Sequence, residues 1–97
     1  MVYVSIRHRV SNYAAWKRGV KAAAELRKTV GETSLHAYRD SRSPNDVTVV
    51  CGWKDMAACK KFVNSADLHK AMKACGVISQ PEVRYFGEME DLTIKTP

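Results

Sequence analysis

The sequence lacks the short motifs that mark nucleotide, zinc or serine-nucleophile sites. It contains no G-x-G-x-x-G, no P-loop, no H-E-x-x-H and no G-x-S-x-G. A Rossmann dinucleotide site, a zinc-protease centre and a serine-hydrolase elbow are therefore disfavoured. We expect no metal and no bound cofactor, although one histidine would be enough to hold haem, which leaves that cofactor open.

The sequence has three cysteines, and their spacing indicates no pairing. Cys51, Cys59 and Cys75 form no C-x-x-C and are odd in number, which argues against a disulfide framework or a zinc site. Their apolar neighbours predict buried, reduced thiols in a cytoplasmic protein. The apolar run before Arg7 and Arg9 is too short for a signal peptide or a membrane span, so we expect no membrane association.

Length and charge point to one small domain. The 97 residues leave room for a single domain, residues 1–97, with 45% hydrophobic and 27% charged residues. A chain of this size buries only about 60–65% of its unfolded surface, so a partner would stabilise it. The net charge of +6 favours an anionic partner, but the basic residues are spread out, and lysines that solvate helix surfaces explain them better.

Hydrophobic periodicity predicts the order β-α-β-β-α-β. The predicted strands are Val2–His8, Glu32–Arg39, Val47–Trp53 and Glu82–Glu88. One long helix is predicted from Ser11 or Asn12 to Gly31, with an apolar stripe that includes Leu26 and Val30. Two short helices capped by Asp55 and Ser65 follow, and the second ends at Gly76; the polar tail from Met89 is left unassigned.

This order is that of an α+β, ferredoxin-like fold with a four-stranded antiparallel sheet. On the first strand, Val4, Ile6 and His8 share one side, while Tyr3 and Ser5 lie on the other. Both helical segments would cover one face, and alternation leaves the other face too apolar to stay in water. The sequence therefore predicts a homodimer that stacks these faces.

Two runs of residues carry a family resemblance. The first is Arg7-His8-Arg9-Val10, followed by Tyr13 and Trp16. The second is Ser65-Ala66-Asp67-Leu68, Ala71-Met72, Cys75-Gly76-Val77 and Pro81. With Trp53-Lys54-Asp55, they resemble the small uncharacterised branch of the dimeric α/β-barrel superfamily, the antibiotic-biosynthesis-monooxygenase-like proteins.

The resemblance implies the fold, a dimer and a pocket for a small molecule. It leaves open a cofactor-independent monooxygenase, a cyclase or an isomerase acting on an aromatic or polyketide-like compound. The oxygenase branch carries Glu-x-Trp on the third strand and a histidine on the next helix. Here Trp53 matches, but Cys51 and Phe62 stand where the glutamate and the histidine would be, which counts against an oxygenase.

His8 is the candidate catalytic residue. It ends a strand before a helix, where side chains often face a cleft, and its ordinary pKa suits proton transfer near neutrality. A strand-end histidine satisfied by backbone hydrogen bonds is the plainer alternative. The candidate pocket residues are aromatic or histidine side chains that also belong in strands or a core: Trp53, Tyr85, His36, Tyr38 and Phe62.

Two other classes of protein compete with an enzyme. One is a non-enzymatic ligand-binding or structural dimer. The other is an RNA-binding domain, because that fold has the same order of elements and Val2–Ile6 resembles its first-strand motif. The run Asp46–Trp53 lacks the aromatic platform that RNA binding needs on the third strand, so we expect no specific nucleic-acid partner.

Overall fold

Four antiparallel strands form one sheet in a computed structural model that describes residues 2–93. The strands are β1 (Val2–Arg9), β2 (Glu32–Arg39), β3 (Asp46–Trp53) and β4 (Glu82–Phe86), and they lie side by side in the order β2-β3-β1-β4. The helices are α1 (Tyr13–Ala22), α2 (Ala24–Thr29), α3 (Met56–Val63) and α4 (Ala66–Ala74). The predicted ferredoxin-like α+β fold is confirmed. Residue 1 and residues 94–97, which the predicted domain and polar tail include, lie outside the described residues.

Side-chain caps start three of the helices where the sequence predicts them. Asn12 Oδ1 accepts a hydrogen bond from the Ala15 amide at 3.0 Å, and Asp55 Oδ1 accepts one from the Ala58 amide at 2.7 Å. Ser65 Oγ accepts a hydrogen bond from the Leu68 amide at 3.2 Å and caps the start of α4. At the other end of α4, Gly76 has a φ of 85°, which permits the predicted Schellman ending.

The predicted long helix is broken at Ala23. This residue has φ −94° and ψ 4°, ends α1 and precedes α2. At the break, the Val20 carbonyl accepts a hydrogen bond from Arg27 Nη1 at 2.8 Å. The prediction of one continuous apolar stripe was wrong here, because α2 turns so that Arg27 is buried while Leu26 is 62% exposed.

The core lies between the helices and one face of the sheet. Strand alternation puts Val4, Ile6 and His8 on this face of β1, and Val49 and Trp53 on the same face of β3, all of them buried. The opposite face carries a mixture of aromatic, aliphatic and polar side chains: Tyr3, Ser5, Arg7, His36, Tyr38, Thr48, Val50, Arg84 and Phe86. We call this second surface the open face, because no helix of the described chain covers it.

Candidate functional site

A cavity of about 170 Å³ lies between the covered face of the sheet and the four helices. Its walls are mainly aliphatic and aromatic, and include Val4, Trp16 and Phe62. It opens between α2 and α4, where the lining residues Leu26 and Ala71 are exposed to solvent. An apolar recess with a few polar groups is the usual form of a small-molecule site.

Three polar atoms give this cavity its chemistry. Within residues 2–93, the buried side-chain polar atoms without a hydrogen-bond partner are His8 Nδ1, Glu32 Oε2 and Trp53 Nε1. All three residues line the cavity. Buried polar atoms in native proteins are nearly always hydrogen-bonded, to protein or to water. Three orphaned atoms around one recess are therefore positioned for a ligand or for ordered water.

His8 lies where the sequence predicts it, in the gap between sheet and helices. It is 4% exposed, and its ring packs edge-on against Trp16 with the ring centroids 5.7 Å apart. Burial lowers the pKa of His8 from 6.5, and the opposing effects of a hydrogen bond with its own backbone and of Asp46 are smaller. The imidazole is consequently neutral at pH 7, the state that a general base requires.

A buried ion pair, which the sequence did not indicate, forms another part of the wall. Arg27 Nε of α2 lies 3.0 Å from Glu32 Oε1 at the start of β2, and their side chains are only 11% and 8% exposed. Burial raises the pKa of Glu32, against the opposing effect of Arg27. Burial and the nearby Glu32 carboxylate raise the pKa of the Cys51 thiol to about 12, so Cys51 is not a nucleophile at neutral pH.

The structure separates the five predicted pocket residues. Trp53 and Phe62 line the cavity and stack with their ring centroids 5.2 Å apart. Tyr85 faces the helices but lies outside the cavity wall, where Lys60 Nζ sits 5.3 Å from its ring centroid. His36 and Tyr38 point to the open face, since they pair with Val50 and Thr48 of β3; they cannot reach this cavity.

Two further observations concern cations and membranes. Among residues 2–93, no three histidine, cysteine or acidic side chains are grouped closely enough to hold a metal ion. Over the same residues, none of the helices combines the length and the apolar character needed to cross a bilayer.

Comparison with known proteins shows the fold. No family model and no curated protein matches the sequence. A candidate antibiotic biosynthesis monooxygenase from Bordetella bronchiseptica has a TM-score of 0.74 and 20% identity, over 92% of this chain and 97% of that one. SnoaB, a cofactor-independent oxygenase from Streptomyces nogalater, has a TM-score of 0.73 and 17% identity, over 94% and 95%. A protein of unknown function from Nitrosomonas europaea has a TM-score of 0.67 and 22% identity, over 99% and 93%.

These similarities span nearly all of each chain, so the whole architecture is shared. The protein has the ferredoxin-like fold of these antibiotic-biosynthesis-monooxygenase structures, and the predicted resemblance is confirmed at the level of the fold. At identities of 17–22% the likeness carries the fold and not the reaction. Function must therefore be argued from the cavity itself.

Lowering the pH below about 6.5 is expected to reduce the free energy of unfolding. Because burial lowers the pKa of His8 in the folded state, the unfolded chain takes up the proton first and is stabilised between the two pKa values. Urea titrations from pH 7 downward measure the slope. In His8→Gln this part of the slope should vanish, while His36→Gln should keep it. Equal slopes in wild type and His8→Gln would contradict the assignment.

Proposed function

We propose that the protein binds a small, mainly apolar molecule in the cavity and removes a proton from it with His8. The observation that carries the proposal is that all the orphaned buried polar atoms of residues 2–93 line one apolar recess. The chemical class that suits such a site is an aromatic or polyketide-like compound with a C–H beside a carbonyl group. Its flat body would be buried by the walls, and its acidic hydrogen would face His8.

The size of the cavity supports an aromatic ligand. An engineered apolar cavity of about 150 Å³ binds benzene, so about 170 Å³ encloses roughly one ring. The opening between α2 and α4 allows a second ring, or a chain, to extend toward solvent. Aliphatic and aromatic walls would contribute about 25 cal/mol for each Å² of apolar surface that they bury.

Proton transfer to His8 is the chemical step. In the tautomer with the proton on Nε2, the unpartnered Nδ1 accepts the proton from carbon, leaving an imidazolium beside an enolate. The enolate could be reprotonated elsewhere, attack a second carbonyl or transfer electrons to oxygen. These outcomes correspond to an isomerase, a cyclase and a cofactor-independent oxygenase. SnoaB shares the fold and is an oxygenase of that kind, which supports the third outcome as a candidate.

Deuterium exchange at the benzylic C–H of 2-tetralone tests the proposed step, since that hydrogen lies between a ring and a carbonyl. In D2O at neutral pH, the protein should accelerate exchange beyond an equal concentration of free imidazole. Oxygen uptake in the same sample distinguishes oxygenation from simple proton transfer. Binding of 2-tetralone without deuterium exchange would mean that the protein binds a ligand but is not this enzyme. Absence of both binding and exchange would contradict the proposal.

We also propose that two copies stack their open faces to form a barrel. Tyr38 is 61% exposed and Phe86 38% exposed in the single chain, and a second copy would remove this surface from water. Because a two-fold axis brings like positions together, Val50→Asp near the middle of the sheet should separate the chains. Light scattering should give twice the chain mass of 10.9 kDa for wild type and for Lys70→Asp. A wild-type mass of one chain would contradict the dimer.

Cysteine chemistry supports a cytoplasmic location. Cys51 and Cys59 are buried, Cys75 is half-buried, and all three are free thiols. Thiols persist in this form in a reducing compartment. We therefore propose a cytoplasmic location.

A further inference from the structure

The polar atoms of the cavity lie at two separate ends. His8 is opposite Val47 in the pairing of β1 with β3, whereas Glu32 is opposite Trp53 in the pairing of β2 with β3. Val47 lies near the start of β3 and Trp53 at its end. They are six residues apart, which corresponds to roughly 20 Å along a strand. The part of a ligand that binds at the Glu32 end is therefore not the part that faces His8.

Glu32 and Trp53 form a matched pair of donor and acceptor. They are cross-strand neighbours, and both line the cavity. Trp53 is 1% exposed and its Nε1–H has no acceptor, while the Glu32 side chain is 8% exposed and its Oε2 has no donor.

The carboxylate is also held in place. Arg27 Nε donates to Glu32 Oε1 at 3.0 Å, and the same guanidinium donates through Nη1 to the Val20 carbonyl at 2.8 Å. One carboxylate oxygen is thus fixed by a side chain that is itself fixed to α1. The second oxygen is buried and accepts no hydrogen bond of ordinary geometry, and the Cys51 thiol, a weak donor, is the neighbouring group that acts on the carboxylate. A preorganised acceptor of this kind discriminates between ligands, because a ligand without a donor leaves it unpaired.

We propose that Glu32 and Trp53 form a hydroxyl-binding subsite, so that the ligand carries a hydroxyl group at the end remote from the carbon that His8 deprotonates. A hydroxyl group accepts a hydrogen bond from the indole N–H and donates one to the carboxylate, which satisfies both orphaned atoms. A carbonyl or ether oxygen would leave Oε2 unpaired, and an anionic group would be repelled by Glu32. This inference rests on the proposed function and narrows its substrate class to elongated, hydroxylated compounds.

A pair of matched probes isolates the subsite. The first probe is 2-naphthol, and the second is 2-methylnaphthalene, in which a methyl group replaces the hydroxyl. Titration calorimetry gives the ratio of their dissociation constants for wild type, Glu32→Leu, Arg27→Met/Glu32→Leu and His8→Gln. The double variant removes the carboxylate without leaving a buried arginine unpaired, so it serves if the single variant fails to fold.

The hydroxyl preference should fall by about tenfold to a hundredfold in the variants without Glu32, as expected for a lost hydrogen bond to a charged group. It should persist in His8→Gln and in the open-face control His36→Gln, and 2-methylnaphthalene should bind equally well to wild type and His36→Gln. An unchanged preference without Glu32 would overturn the subsite and mean that the Cys51 thiol or ordered water satisfies Oε2. Loss of the hydroxyl preference in His8→Gln instead would place the ligand hydroxyl at the His8 end of the cavity and contradict the subsite. If neither probe binds wild type, the proposed cavity function fails as well.

Discussion

Replacing His8 with glutamine is expected to lower the rate of 2-tetralone exchange by about 10²–10⁴-fold, the usual contribution of a general base. Glutamine is similar in polarity and reach but cannot take up the proton. Its amide can still lie against Trp16, so binding of 2-methylnaphthalene should be nearly unchanged. Exchange followed by mass spectrometry and binding followed by calorimetry give the two quantities separately.

The matched control is His36→Gln, because His36 lies on the open face and cannot reach the cavity. Stability separates a catalytic His8 from a structural one. His8 Nδ1 has no partner on another residue to lose, whereas breaking a satisfied buried hydrogen bond costs about 1–3 kcal/mol. Full exchange activity in His8→Gln, or a large fall in melting temperature, would mean that His8 serves the fold.

Arg27→Met is expected to destabilise the protein by about 3–5 kcal/mol, because it leaves the buried carboxylate of Glu32 without its charge partner. The cost should shrink toward acidic pH, where protonation of Glu32 removes the unpaired charge. Burial raises the pKa of Glu32 already in the wild type, which favours this protonation. Urea denaturation at neutral and acidic pH measures both effects.

The double variant Arg27→Met/Glu32→Leu should recover most of the lost stability, because no charge is then buried and the cavity wall becomes apolar. Lys28→Met, on the exposed side of the same helix, should change the free energy of unfolding by less than about 0.5 kcal/mol. If Arg27→Met behaves like Lys28→Met, the ion pair contributes nothing and Glu32 is not held as described.

Local chemistry explains how much of the fold the sequence predicts. Alternation in β1 places His8 on the covered face, and Asn12, Asp55 and Ser65 cap helices through short-range hydrogen bonds. Such signals depend on residues two to four positions apart. The order of elements, the gap beside His8 and the inward position of Phe62 follow from them.

The Glu32 end of the cavity depends on contacts that no local sequence pattern encodes. The turn of α2 at Ala23 buries Arg27 instead of Leu26, and it is accompanied by a hydrogen bond from Arg27 to the Val20 carbonyl. Burial of Glu32 follows from that arginine. His36 and Tyr38 share a side of their strand, as the sequence predicts, but which side faces the helices is set by the pairing of β2 with β3.

The indole N–H signals of the two tryptophans test the ligand site most directly. A Trp16→Phe variant assigns them in a nitrogen–proton NMR spectrum. On addition of 2-naphthol, the Trp53 indole signal is predicted to move progressively and to saturate, because Trp53 lines the cavity and its Nε1–H has no hydrogen-bond partner. A Trp53 signal that stays fixed while backbone amides of the open face, such as Tyr38 and Val50, shift instead would contradict the cavity as the binding site.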